Sequence, residues 1–376
     1  MLPTRKLGPF DVSAVSLGCM NLNHAYSGFP SESEAARLLN RALDLGVTML
    51  DTAALYGDGE NERLVGKAVM HRRSEFVLAS KCVLGVFDGK RGLDGRPEAI
   101  TGTLEGALER LGTDHIDLYY MHRLDPKVPI EESMGALVRA KEAGKIGAIG
   151  LSEMSAETLR RAHAVHPIAA MQSEYSPVAR NLEVAILDTC RDLGVSVVAF
   201  SPVARGLLAG AIRNDDYPAG DIRRSFPRYF GEALQANLAL VCRFNAIAGD
   251  AGCTPAQLSL AWILAQGGHV IALPGTTSIA HLEEDVALPA ISADAIEAVT
   301  ALFPPNALKG ARYAALQQSQ VGTELLPGEE LATASHPCSR RRESTNMSGG
   351  KELAGRQTSQ SARIRASSAT APWPAG

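Results

Sequence analysis

Apolar residues along this chain fall into short runs separated by stretches of helical period. The runs cover 14–18, 47–51, 76–80, 116–121, 146–150, 169–172, 196–200 and 270–273. Several are continuous rather than alternating, the pattern of parallel strands covered on both faces. Between them, the segment opening at Ser31 offers a serine cap with Glu34 three residues on. Its apolar positions are Ala35, Leu38, Leu39, Ala42 and Leu43, and Gly46 stops it. Segments from Arg96, Ile130, Ser155, Asn181 and Thr254 repeat this plan. Eight strands alternating with helices predict an α/β fold, a (β/α)8 TIM barrel, whose typical size is about 250 residues. An open dinucleotide-binding sheet would need G-x-G-x-x-G after the first strand, and the chain has none there.

Two segments fall outside this alternation. The opening RKLGPFDVSAVSLG, with Gly8-Pro9 as its turn, predicts an N-terminal hairpin that plugs the closed end of the barrel. The interval 201–269 exceeds one repeat and predicts a long loop rich in Arg and aromatics, followed by an extra helix from about Ala233 to Gly249.

Composition divides the 376 residues unevenly. The net charge is −4, but residues 331–376 hold seven basic residues against two acidic ones, a net +5, so the first 330 residues carry −9. That end is rich in Ser, Ala, Gly and Arg, and Trp373 is its only aromatic. Such a segment buries too little apolar surface to offset the entropy of ordering. The expected division is therefore a barrel over 1–325 and a disordered basic tail over 326–376, either passive or an arm for anionic partners. An acidic barrel offers no general basic field for nucleic acid. No apolar run reaches membrane-spanning length, and MLPTRKLGPF lacks a signal-peptide core, so the expected location is cytoplasmic. The six cysteines are scattered without C-x-x-C or zinc spacing, which fits a reducing compartment and no metal site.

In a barrel, chemistry gathers at the carboxyl ends of the strands. Polar residues recur there: Asp51, Lys81, His122, Ser152-Glu153, Gln172 to Tyr175, and Ser201, with Tyr56 in the loop after Asp51. Singly, Asp51 reads as a helix cap, Lys81 as a surface charge and His122 as a core or loop histidine. Together, Asp, Tyr, Lys and His form a proton-handling set, since lysine is a poor metal ligand. A phenol is a weak acid with a pKa near ~10. Lys81 beside Tyr56 would lower that value, and Asp51 would hold Lys81 charged. Glu153 reads either as a substrate or ribose contact or as a solvated strand-end charge. Aromatic candidates for the pocket wall, or for loop anchoring, are Tyr26, Phe29, Phe87, Tyr217, Phe226, Tyr229 and Phe230.

The stretch GVTMLDTAALYGDGENERLVG, from Gly46 to Gly66, resembles the signature of the aldo-keto reductase superfamily. The likeness continues through Ser80-Lys81, DHIDLYYMHRLDP, GKIGAIGLSE, QSEYSP, AFSPVARGLLAG and ALPGTT, over about residues 5 to 315. GLSE, QSEYSP and DIRRSFPR look most like the branch that reduces aldehydes, ketones and quinones. The resemblance implies an NADP(H)-dependent oxidoreductase acting on a small carbonyl compound, with Tyr56 as general acid, Lys81 and Asp51 tuning it and His122 orienting the carbonyl. It further implies that Ser152 and Gln172 hold the nicotinamide amide and that Phe200 stacks on its ring. The phosphates would meet Ser201, Pro202, Val203, Arg205, Gly206, Leu207 and Gly210 after strand seven, and Gly275, Thr277 and Ser278 after strand eight. That last loop lacks the Lys or Arg that many members set against a 2′-phosphate. NAD(H) is therefore the alternative cofactor, unless Arg205, Arg223 or Arg224 supplies the charge. His281 replaces the more usual Gln, and Asp285, next to Glu284, the usual Asn at the adenine. The alternative function is a cofactor-binding regulatory subunit on the same fold.

Overall fold

A computed structural model of the chain describes residues 2–87 and 89–332. Eight parallel strands form its centre: β1 (Leu17–Gly18), β2 (Met49–Asp51), β3 (Val77–Cys82), β4 (Ile116–Met121), β5 (Ile146–Ser152), β6 (Ala170–Glu174), β7 (Ser196–Phe200) and β8 (Val270–Leu273). Each pairs with its sequence neighbour. The ring closes because Ala272 N donates to Ala14 O (2.9 Å), Ser16 N to Ala272 O (2.9 Å) and Gly18 N to Pro274 O (2.8 Å). The residues expected in the first strand thus make the closing bonds, although only two of them are regular strand. The barrel expected from the alternation is the fold observed.

Helices cover the outside. In α1 (Glu32–Asp44) the expected capping box is present: Ser31 N donates to Glu34 Oε2 at 2.8 Å, and Glu34 N to Ser31 Oγ at 3.3 Å. Further helices are α2 (Glu60–Val69), α3 (Pro97–Leu111), α4 (Ile130–Glu142), α5 (Ala156–Val165), α6 (Ile186–Leu193), the extra helix α7 (Gly231–Asp250), α8 (Pro255–Leu264), α9 (Ile279–Val286) and α10 (Ala293–Leu302). Their apolar faces and the outward side chains of the strands make one core. A second core fills the barrel itself, from Met49, Ala79, Leu118, Ala148, Ala170, Val198 and Ile271.

The N-terminal hairpin, Thr4–Leu7 with Phe10–Ser13, completes the inner core. Leu7 and Val12 are wholly buried in it, and Ser196 Oγ donates to Lys6 O at 2.6 Å, so the hairpin seats on the amino ends of the strands. Gly8 makes that seat: its φ is +54°, and a Cβ there would lie 2.6 Å from that of Ala169.

Two features differ from the sequence reading. The segment 84–96, which the sequence pattern leaves between the apolar run 76–80 and the helical segment from Arg96, contains a second hairpin, Leu84–Phe87 with Lys90–Leu93. Packed structure also runs past the expected boundary at 325. Asn181 Nδ2 donates to Glu329 Oε2 at 2.6 Å and Gly310 N to Glu330 Oε2 at 3.0 Å. The rest of the expected basic tail, from 333 onward, lies outside the described residues.

Gly66 on α2 shows how closely the outer layer packs, since a Cβ there would lie 2.5 Å from the Leu111 carbonyl oxygen. Gly66→Ala is expected to cost about 1–3 kcal/mol, because backbone must shift to admit the methyl. Urea unfolding would report it as a lower midpoint at unchanged slope.

Candidate active site

The period of two along a strand selects the side chains at the open end. Met49, Ala79, Leu118, Ala148, Ala170 and Val198 point into the barrel. Two or four residues further along the same faces come Asp51, Lys81, Tyr120, Ser152, Gln172 and Phe200. His122 follows Tyr120 by the same step. The apolar interior thus ends in a largely polar layer, and at Asp51, Lys81, Ser152 and Gln172 the sequence needed only to change residue type at the last inward position of the strand.

Lys81 is wholly buried. Its Nζ donates to Asp51 Oδ1, to the Thr52 carbonyl (2.8 Å) and to the Tyr56 hydroxyl (3.3 Å). Burial pulls its pKa down, but the Asp51 carboxylate and Tyr56 outweigh burial and leave it raised, so Lys81 stays an ammonium. Tyr56 reaches this group from a short turn, Tyr56–Gly59, in which Gly57, Asp58 and Gly59 have φ of +58°, +54° and +88°. Burial raises the Tyr56 pKa; Lys81 opposes it and Asp51 adds to it, for a net upward shift. The expected direction was downward. The ammonium does pull that way, but withdrawal of the phenol from water is the stronger effect, so Tyr56 holds its proton at neutral pH.

His122 stands edge-on to the Tyr56 ring, centroids 5.9 Å apart, and His24 stacks on that ring at 5.5 Å. Burial, with Arg123, Lys81, Arg91 and His24 nearby, holds the His122 pKa well below the usual imidazole range. A neutral ring results, and its Nδ1 has no hydrogen-bond partner among the described residues. Gln172 Nε2 donates to Asp51 Oδ2 at 2.8 Å, fixing the carboxylate from the side opposite Lys81.

A cavity of about 650 Å³ runs from Tyr56 and His122 past Ser152, Gln172 and Phe200 to Thr254, His281, Glu284 and Asp285. Ser201, Pro202, Val203, Arg205 and Gly206 line it from the loop after β7, and Gly275 and Thr277 from the loop after β8. Ser201, Ala204, Arg205 and Gly206 have φ of +51°, +47°, +52° and +92°. Mixed left- and right-handed backbone of this kind can cup an anion; Ala204 N and Gly206 N are bonded to Ser201 O (2.8 Å) and Val203 O (3.0 Å) within the loop. Leu207, Gly210 and Ser278 do not line the cavity. Leu207 is buried in the outer core, Gly210 caps the turn after β7, and Ser278 Oγ accepts from His281 N at the start of α9.

The arginines of the long loop differ from expectation. Arg205 forks onto Glu174 at 2.5 and 3.2 Å, stacked between Phe226 and Tyr313. Burial pushes the Glu174 carboxyl up, but Arg205 and Arg312 outweigh it and hold the group at about 2. Arg223 is paired with Asp221 at 2.6 and 2.9 Å, and Arg224 Nη1 donates to the Tyr217 carbonyl at 2.8 Å. The charges of Arg205 and Arg223 are therefore matched within the protein. Glu153 is neither a cavity group nor a solvated charge: it is wholly buried, accepting from Glu174 N (2.6 Å) and Thr323 Oγ1 (3.0 Å). Of the aromatic candidates, Tyr26 and Phe226 line the cavity, Tyr229 anchors the loop through Ala204 O, and Phe29 is exposed. The sequence reading missed His24, Arg91, Arg123 and Tyr313. His24 and Arg123 lie in strand-end segments and were accessible to the same argument. Arg91 depends on the second hairpin and Tyr313 on the returning C-terminal segment.

A model of the aldo/keto reductase family matches residues 14–302. The NADP(+) aldo-keto reductase yakc of Schizosaccharomyces pombe is 42% identical over 326 residues, 81% of this chain and 96% of that protein. The aldo-keto reductase str7 of Strobilurus tenacellus is 40% identical, over 88% of this chain and 99% of that protein. Among solved structures, a glycerol dehydrogenase from Gluconobacter oxydans superposes with a TM-score of 0.73 at 28% identity, covering 87% of this chain and 99% of that one.

At the far end of the cavity, burial and the neighbouring Glu284 push the Asp285 carboxyl up to about 7. A carboxyl raised from its ordinary value stabilises the fold at low pH, and that contribution is lost as pH rises from about 4 through about 7. Asp285→Asn should therefore leave the melting temperature little changed near about pH 4 and raise it by about 2–4 °C near about pH 8. Thermal unfolding at the two pH values checks this.

Proposed function

Since the chain belongs to the aldo/keto reductase family, we propose that it is an NADP(H)-dependent oxidoreductase that reduces aldehydes or ketones to alcohols. The observation that carries this reading is the buried row of Asp51, Lys81, Tyr56 and His122 at one end of a cavity large enough for a dinucleotide. The naming of the yakc relative for NADP(+) favours the phosphorylated cofactor.

The residues along the cavity fit such a cofactor. Ser152 Oγ accepts from Arg123 Nη1 at 3.1 Å, which leaves its hydroxyl proton to donate. Gln172 gives its amide N–H to Asp51, which leaves its carbonyl to accept. On adjacent strands, paired in register, these two match the oxygen and the NH₂ of a primary carboxamide. Phe200 beside them offers a ring to stack on. The loop from Ser201 to Gly206 suits the diphosphate, and Thr254, His281 and Asp285 suit the adenosine end. With Arg205 and Arg223 already paired, Thr276, Thr277 and His281 are the polar groups left near that end for a 2′-phosphate.

When bound, the nicotinamide supplies the hydride that reduces the carbonyl carbon, or accepts one in the reverse direction. The neutral His122 ring donates a hydrogen bond to the carbonyl oxygen and orients it. Tyr56 gives its hydroxyl proton to that oxygen as the hydride arrives. Lys81, held charged by Asp51, stabilises the phenolate left behind, so the high cost that burial places on ionising Tyr56 is offset at the moment of transfer.

Purified protein is expected to consume NADPH with a reactive aldehyde such as 4-nitrobenzaldehyde. Tyr56→Phe should lower kcat by about 10²–10⁴-fold while binding NADPH as before. Absence of turnover by the intact protein, with NADPH binding retained, would instead favour the regulatory reading. Fluorescence titration with both nucleotides is expected to show tighter binding of NADPH than of NADH.

A further inference from the structure

Four arginines line the cavity, and they are not alike. Arg205 and Arg223 are forked onto Glu174 and Asp221. Arg91 and Arg123 form no ion pair among the described residues, and both stand at the catalytic end. Arg123 follows His122 directly, and its two hydrogen bonds, to His122 O (2.6 Å) and Ser152 Oγ (3.1 Å), both use Nη1. The rest of its fork has no hydrogen-bond partner among the described residues. Arg91 sits on the second strand of the hairpin, opposite Val86. It shares a face with Leu93, two residues on, which packs against Leu84, Leu55 and Tyr56. The hairpin therefore aims Arg91 at the mouth of the pocket. The two guanidiniums are close enough to repel each other, and both are felt by His122.

Among the described residues, no carboxylate lines this end of the cavity. Glu284 and Asp285 are the acidic residues that line the cavity, and they lie at its other end with Thr254. Asp51 is already engaged by Lys81 and Gln172. An otherwise acidic barrel thus carries a local positive field at its reaction centre. Beside it, Met20, Leu55 and Leu84 provide an apolar wall. A neutral carbonyl compound would leave these two like charges without a counter-ion. An anionic one would satisfy both with the planar, forked geometry that guanidinium groups offer to a carboxylate.

We propose that the substrate is a carbonyl acid, an aldehyde or ketone whose carboxylate is held by Arg91 and Arg123 while its carbonyl meets Tyr56 and His122. This inference rests on the reductase reading and narrows it to a substrate class.

The test compares 4-carboxybenzaldehyde with methyl 4-formylbenzoate, which keeps the ring and the aldehyde and loses the charge. The ester is the more electrophilic aldehyde, so a preference for the acid cannot come from intrinsic reactivity. With NADPH, kcat/KM is expected to favour the acid by about tenfold or more, the range of a charge-assisted hydrogen bond. In Arg91→Gln and in Arg123→Gln the ratio should fall toward unity through a rise in KM for the acid, with the ester as internal reference for any general loss of activity. The wild-type preference should also shrink as ionic strength rises from about 10 mM to about 0.5 M, whereas a purely structural role for the arginines would not respond to salt. Turnover of both compounds without preference for the acid, or a preference unchanged in both variants, would overturn the inference and leave the reductase reading standing. Turnover of neither compound while 4-nitrobenzaldehyde is reduced would overturn the inference alone, and turnover of none of the three would overturn both.

Discussion

The site depends on an ammonium and a carboxylate buried together inside a hydrocarbon barrel. Isolated, either charge would be driven neutral by its loss of water. Asp51 and Lys81 can share this site because each satisfies the other and because the remaining valences are met. Lys81 also reaches the Thr52 carbonyl and the Tyr56 hydroxyl, and Asp51 also accepts from Gln172. Lys81 contributes a fixed positive charge beside a phenol whose pKa burial raises. Both properties of the centre, a proton held at rest and a proton given in the reaction, follow from that opposition.

The surrounding architecture keeps this pair in register. Strand periodicity sets Asp51 and Lys81 on the inward face, directly beyond the apolar layer that the N-terminal hairpin seals. The residues after Tyr56 act from outside the barrel. Asn61 accepts from Thr52 Oγ1 at 2.6 Å and donates to the Cys19 carbonyl at 2.9 Å, while Glu62 is held by Ser80 and Arg110 at 2.5 and 2.7 Å. Gly66 lets α2 lie against the end of α3. These motif residues thus touch no reacting group, yet they fix the turn that carries Tyr56.

Most of the barrel was legible because each strand is an apolar run that ends in a change of residue type, and because Ser31, Glu34 and Gly46 mark a helix by local chemistry. The same logic located Asp51, Lys81, His122, Ser152 and Gln172, whose roles depend only on strand position. What depended on distant contacts was not legible. The pairing of Arg205 with Glu174, the burial of Glu153 under Thr323 and the return of Tyr313 to the cavity join segments far apart in sequence. The second hairpin is the exception, since Gly89 between two short runs is a local turn signal. The direction of the Tyr56 shift could not be read from neighbours in sequence, because burial decides it.

The measurement that bears most directly on the buried pair is the pH profile of kcat/KM for aldehyde reduction in the wild type and in Lys81→Met. If the ammonium eases ionisation of Tyr56, the variant should be slower, and the alkaline limb, where the phenol loses its proton, should move to higher pH. A slower variant whose alkaline limb stays in place would contradict this account and leave Lys81 as a support for the fold rather than the group that tunes the acid.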